Sequence, residues 1–145
     1  MDTNEPSGDS APLRGIRILI IDDDRVNATQ AKGLLEGLGA TVQTALDPVK
    51  ALAIYGDEKA AIDLVMVDYF MPLLNGGETI QHLQKLNPDV KILLCSCSEG
   101  IRSRQVVQQY SINGYLHKPL RPDETVWMIR QIFPATSTTE QVAEV

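Results

Sequence analysis

Residues 63 to 72 read Asp63-Leu64-Val65-Met66-Val67-Asp68-Tyr69-Phe70-Met71-Pro72. Leu64 to Val67 is a continuous apolar run, too short for a good isolated helix and rich in strand formers, so it reads as a strand buried on both faces. Such strands belong to parallel sheets. The run ends on the carboxylate of Asp68, and Pro72 then stops any regular ladder, which puts Asp68 where a central strand gives way to a loop. Open α/β sheets bind ligands at the carboxyl ends of their strands, so each remaining strand has to be asked what it delivers to that edge.

Ile16 to Ile21 is a second buried strand and ends in Asp22-Asp23-Asp24. From Val26 to Leu38 the apolar positions 31, 34, 35 and 38 recur at helical spacing, with Asp24 placed to cap the start and Gly39 to stop the helix. Thr41 to Ala45 is a short strand. Asp47-Pro48 supplies a cap and a first-turn proline for a helix expected to run to about Tyr55 and end at Gly56.

Beyond the Asp63 strand, Asn75-Gly76-Gly77 offers residues tolerant of positive φ for a tight turn, followed by a helix from Glu78 to about Leu86 and a stop at Asn87-Pro88. Val90 to Cys95 is an apolar strand ending in Ser96. Glu99 to Tyr110 is a helix with few apolar anchors, expected to be mobile for that reason. Asn113 to His117 is the last strand, followed by Lys118-Pro119. Pro122 opens the last helix, with Val126, Ile129, Ile132 and Phe133 facing inwards. Trp127 and Met128 on this helix read either as an apolar surface patch that supports dimers or as core.

The order is βαβαβαβαβα, which implies a doubly wound parallel sheet with helices on both faces. The domain is expected over residues 14–133, with a disordered polar lead-in over 1–13 and a polar tail over 134–145. A length of 145 residues suits one such domain. The net charge of -6, with no basic cluster, argues against direct binding to nucleic acid. No apolar run is long enough to span a bilayer, and no signal-peptide pattern opens the chain. Cys95 and Cys97, two apart on a strand, point to one face and cannot easily bridge each other, which suits a reducing cytoplasm.

Four strand ends converge on one edge: Asp22 and Asp23 from the first, Asp68 from the third, Ser96 from the fourth, Lys118 from the fifth. In a sheet of order 2-1-3-4-5 the first and third strands are neighbours and the crevice between them is the switch point, where Asp23 and Asp68 meet. Carboxylates that close repel one another, which raises a pKa or calls in a divalent cation. A hard cation such as Mg²⁺ takes one or two carboxylates, often a carbonyl and water, and commonly shares its shell with phosphate. Lys118 offers a positive charge and Ser96 a hydroxyl to phosphoryl oxygens.

With Ile20-Ile21-Asp22-Asp23-Asp24, Asp68 with Met71-Pro72 and Gly76, Ser96, and Tyr115-Leu116-His117-Lys118-Pro119 in this order, the chain resembles a response-regulator receiver domain of two-component signalling over about Arg14 to Phe133. The resemblance implies a flavodoxin-like (βα)5 fold and a phosphoryl group accepted on Asp68 from a sensor histidine kinase, a histidine phosphotransfer protein or a small phosphodonor. It implies Mg²⁺, with Mn²⁺ able to substitute, held by Asp23, Asp68 and the backbone carbonyl of Phe70, with Asp22 acting through water. Ser96 and Lys118 would read the phosphoryl oxygens, Tyr115 would turn inward, and Lys118-Pro119 would be cis. The surface of the fourth helix, fifth strand and fifth helix would change for a downstream protein partner or for a homodimer.

This describes a cytoplasmic signalling switch rather than a turnover enzyme. Ser96 keeps the hydroxyl of the commoner threonine; Cys97 stands where alanine or glycine is usual; Phe70 and Ser98 occupy positions that tune dephosphorylation in the family. The competing reading from another class is a haloacid-dehalogenase-like phosphohydrolase using Asp22 and Asp24, which wants further acids on the fourth strand where the chain has Cys95-Ser96-Cys97-Ser98.

Overall fold

A computed structural model describes residues 11–69, 76–96 and 103–134. Expectations placed on residues 1–10, Phe70 to Asn75, Cys97 to Arg102 and 135–145 lie outside the described residues. In chain order the elements are β1 (Arg17–Ile21), α1 (Arg25–Gly37), β2 (Thr41–Ala45), α2 (Pro48–Glu58) with a 3-10 turn (Lys59–Ala61), β3 (Leu64–Asp68), α3 (Gly76–Leu86), β4 (Ile92–Ser96), α4 (Ser103–Tyr110), β5 (Gly114–His117) and α5 (Pro122–Ile132). The strands form one parallel sheet in the order β2-β1-β3-β4-β5, as the alternating pattern required.

Strand parity divides the core in two, because successive side chains point to opposite faces. Leu19, Ile21, Val65, Val67, Ile92 and Leu94 pack under Ala51 and Tyr55 of α2 and Ile80 and Leu83 of α3, with Val107 and Tyr110 of α4 alongside. Ile18, Ile20, Leu64, Met66, Leu93, Cys95 and Leu116 face Leu35 of α1 and Ile129 of α5. Most of these residues are under 5 % exposed, so the central strands are covered on both sides.

The helix boundaries follow local chemistry, with two corrections. Asp24 caps α1 as expected, its carboxylate accepting from the Asn27 N–H at 3.0 Å, and Asp47 caps α2 by accepting from the Val49 N–H at 2.7 Å. Gly39, at φ +107°, closes α1. Against expectation, α2 does not end at Gly56 but continues to Glu58. An interior glycine costs a helix about 1 kcal/mol, and the burial of Tyr55, whose hydroxyl accepts from Asn87 Nδ2 at 3.0 Å, outweighs it.

The second correction concerns Gly76 and Gly77, expected to supply positive φ in a turn. Both are the first residues of α3, and among the described residues the positive-φ glycines are Gly15 and Gly39. What position 76 demands is room: a β-carbon there would lie 2.6 Å from the Tyr69 Cα, and one at position 77 would lie 2.7 Å from Cζ of Tyr110. On α5, Trp127 is 61 % exposed, whereas Met128 packs against the core.

Candidate functional site

Parity also sorts the polar strand ends. Asp22 continues the Ile18, Ile20 face of β1, Asp68 the Leu64, Met66 face of β3, and Lys118 the Leu116 face just beyond β5. All three therefore stand on the α1/α5 side of the carboxyl edge. Since β1 pairs with β3 and β3 with β4, Asp22 and Asp68 are brought side by side at the reversal of strand order. One carboxylate oxygen from each of Asp22, Asp23 and Asp68 lies within 4.8 Å of the others.

Asp22 is the most enclosed of the three, at 3 % exposure. A buried carboxylate needs compensation. Its Oδ2 accepts from the Lys118 ammonium at 2.5 Å and its Oδ1 from the Asp24 N–H at 2.9 Å. The same ammonium stands 3.5 Å from Asp68 Oδ1. Burial pulls the Lys118 pKa down, but the hydrogen bond to Asp22 and the charges of Asp68 and Asp22 more than reverse it, so the net shift is upward and the lysine stays protonated at neutral pH. Cys95, on the floor beside these groups, is the opposite case: burial pushes its thiol up to about 12, with Lys118 only partly offsetting. It is an un-ionised core thiol, as its sequence position suggested.

Asp23 is the exposed member of the trio and presents its carboxylate from outside. That split suits a small hard cation, which takes oxygen donors and keeps several waters. The donor set is all carboxylate, with no thiol or imidazole in the cluster, so it fits Mg²⁺ or Mn²⁺ rather than zinc.

Ser96 and Tyr115 belong to the other face. Ser96 ends β4 fully buried, with its backbone carbonyl accepting from the Lys118 N–H at 2.9 Å, so the serine and the lysine are tied through the backbone. Tyr115 lies within β5, opposite Leu94, half-buried against the cluster that contains Val107 and Tyr110. The Lys118-Pro119 bond is cis.

Sequence reasoning missed two features. It did not foresee that the Asp22 side chain is held directly by Lys118, since nothing in the local sequence connects residues 96 positions apart. It took Tyr110 only as an apolar anchor of the fourth helix and did not connect it with Tyr69. Burial raises the Tyr110 pKa, and the contact of its hydroxyl with Tyr69 and the nearby Glu78 carboxylate add to the shift. The pair of glycines opening α3 was the signal, since only a residue without a β-carbon leaves that ring its place.

Comparison with known proteins agrees with this geometry. The sequence model of the response regulator receiver domain matches residues 18–130. Response regulator MprA of Mycobacterium sp. (strain KMS) is 30% identical over 125 residues, covering 86% of this chain and 54% of that protein. The transcriptional regulatory protein CpxR of Klebsiella pneumoniae subsp. pneumoniae is 32% identical over 125 residues, covering 86% of this chain and 52% of that protein. The chain thus spans about half the length of the curated relatives it matches. Among solved structures, a response regulator receiver domain protein from Clostridium thermocellum superposes with a TM-score of 0.74 at 26% identity, covering 80% of this chain and 92% of that one. The receiver domain of the histidine kinase CKI1 from Arabidopsis thaliana, as a D1050E mutant, shares the fold with a TM-score of 0.76 at 22% identity, covering 88% of this chain and 95% of that one. With the fold, the carboxylate cluster and the family match in agreement, the chain belongs to the response regulator receiver domain family.

Proposed function

We propose that Asp68 accepts a phosphoryl group and that the domain works as a phosphorylation-driven switch. The observation that carries this reading is the three-carboxylate cluster with the Lys118 ammonium set between Asp22 and Asp68. In the reaction, an Asp68 carboxylate oxygen attacks the phosphorus of a phosphohistidine or small phosphodonor. The bond from phosphorus to the donor breaks, its electron pair leaves with the donor, and an acyl phosphate remains on Asp68.

Asp23 and Asp68, with the Phe70 carbonyl as the family pattern implies, would hold Mg²⁺, Asp22 contributing through water. When bound, the ion offsets the charge of the transferring phosphoryl group. Lys118, kept protonated, supplies the positive charge that a new dianion at Asp68 attracts, at the expense of its contact with Asp22. Ser96 offers its hydroxyl to another phosphoryl oxygen. Because Ser96 and Tyr115 sit on the α3/α4 side, the new charge biases α4, β5 and α5 between two arrangements, and that surface is read by a downstream partner or a second copy of the chain.

A sensor histidine kinase or histidine phosphotransfer protein is the donor this scheme requires. The phosphohydrolase alternative is disfavoured by the family match and by Asp24, whose carboxylate is committed to capping α1. No described helix is long and apolar enough to cross a membrane.

The test is incubation with acetyl phosphate and Mg²⁺, followed by separation of the phosphoprotein on a phosphate-affinity gel. The parent chain gives an acid-stable, base-labile adduct that fails to form when EDTA removes the ion, and Asp68→Asn gives none. Labelling of Asp68→Asn equal to that of the parent refutes the assignment.

A further inference from the structure

On the α1/α5 side, α1 packs chiefly on β1 and β2 and α5 on β5, and the strand residues beneath them are buried, but space remains between α1 and the β5–α5 turn near the carboxyl edge. A crevice of about 280 Å³ opens there. Its floor includes Met66 and Cys95, one wall is Ala31 and Leu34 of α1, and the other is Pro119 and Leu120 of the turn between β5 and α5. The hollow has a sequence cause: Ala31 and Cys95 are short side chains where a leucine on either element would project into the gap. Met66 and Cys95 line its floor while staying almost wholly buried, at 2 % and 4 % exposure.

We infer that this crevice is a binding site for a small, uncharged, largely apolar molecule of about ten non-hydrogen atoms, and that its occupancy restrains the acid pocket at its inner end. The size follows from roughly 30 Å³ per water-sized group. Absence of charge follows from the walls, where Ala31, Leu34, Met66, Pro119 and Leu120 give a charged group no partner, the charges at the inner end being those that the phosphoryl chemistry uses. Polarity is offered instead at the mouth, where Asn27 and Gln30 present side-chain amides from α1, enough to orient one hydroxyl or N–H. A volume of about 280 Å³ suits a small molecule rather than a protein surface.

The inner end gives the site its consequence. The Lys118 stem and Asp68 line the crevice together with its apolar walls. An occupant packed along that stem holds the ammonium on Asp22 and away from the position where an incoming phosphoryl oxygen needs it. Phosphoryl uptake is therefore expected to slow by roughly fivefold, at the low end of couplings between neighbouring sites. This second part rests on Asp68 as the acceptor; the binding itself does not.

The experiment is a ¹H–¹⁵N correlation titration of the full chain with benzyl alcohol and with indole, and with hexylamine and hexanoate as charged counterparts. Saturable shifts centred on Ala31, Leu34 and Leu120 with the uncharged probes, lost in Ala31→Phe and in Gln30→Trp, support the site. Gln30 is exposed, so its replacement covers the mouth without disturbing the core. Shifts that rise without saturating, or that persist in both variants, overturn it, and tighter binding of either charged probe overturns the stated ligand chemistry. Acetyl phosphate labelling with and without saturating benzyl alcohol then reads the coupling. Unchanged uptake alongside saturable binding refutes the restraint on Lys118, whereas no uptake in either condition refutes the assignment of Asp68 and leaves the binding result standing.

Discussion

The two faces of the sheet are built from alternate residues of the same strands yet carry different duties. Under α2, α3 and α4 the apolar side chains are closed over, and the polar groups the proposed switch uses on that side are the Ser96 hydroxyl at the end of β4 and Tyr115 within β5. Under α1 and α5 the strand residues are also buried, but a crevice opens at the carboxyl edge, and the strand ends are the charges Asp22, Asp68 and Lys118. In the proposed scheme, the chemistry occurs on the open side and its consequence is transmitted on the packed side. A one-residue change of register would exchange the two sets, so the division depends on strict alternation.

The largest effect that can break this comparison is a pair of core truncations. Leu94→Ala opens a closed void among α2–α4 neighbours and is expected to cost about 4 kcal/mol, whereas Met66→Ala merely widens an existing crevice and should cost about 2 kcal/mol. Urea unfolding of both variants would show it, and equal costs would mean that the α1/α5 side is as tightly filled as the other. Next comes Lys118→Met, which takes the ammonium away from the enclosed carboxylates of Asp22 and Asp68. About 2 kcal/mol of stability should be lost, less than for a fully buried pair because the lysine side chain keeps 16% exposure, and added Mg²⁺ should restore part of it.

On the packed side, Gly77→Ala drives a methyl group into the Tyr110 ring and should destabilise by about 1 to 2 kcal/mol. Tyr110→Leu in the same chain should recover much of that loss, a non-additivity measurable by a double-mutant cycle. Additive costs would show that the ring is not what occupies the space.

The smallest effect lies at the opposite edge from the site. Asp63 accepts from the Arg17 backbone N–H at 2.8 Å, from Nε at 3.0 Å and from Nη2 at 3.0 Å. Hydrogen bonding from the Arg17 side chain, partly opposed by burial, holds its carboxyl below the usual carboxylate range. A depressed folded pKa contributes stability above the unfolded value of about 3.9 and loses it as pH falls through the folded value. Asp63→Asn should thus lower the melting temperature at pH 7 by an amount worth under about 1 kcal/mol, as for exposed pairs, and the deficit should shrink as the pH is taken down through the acid range. A deficit that did not change with pH would assign the loss to packing instead.

Local chemistry made much of the molecule legible. Apolar runs ending in Asp22, Asp68 and Ser96, caps at Asp24 and Asp47, and a stop at Gly39 are short-range signals that no distant residue contradicts. Alternation of strand and helix left few topologies, and with the sheet order came the expected meeting of Asp23 and Asp68; that Asp22 is the residue directly beside Asp68 was decided by strand parity and register. Where the local reading failed, a distant partner was responsible. Helix α2 runs through Gly56 because Tyr55 is buried and bonded to Asn87, 32 positions away. Gly76 and Gly77 are glycines because Tyr69 and Tyr110 need their space, which no turn preference encodes.

The chain's own pattern was enough to establish a parallel sheet and the polar groups on its carboxyl edge, since period and capping are properties of neighbouring residues. Packing in three dimensions settled which of those groups touch: Lys118 against Asp22, Tyr110 over Gly77, and a gap left between α1 and α5. Contacts across tens of residues depend on how whole elements seat against one another, and that is a sum over many side chains which no single stretch contains.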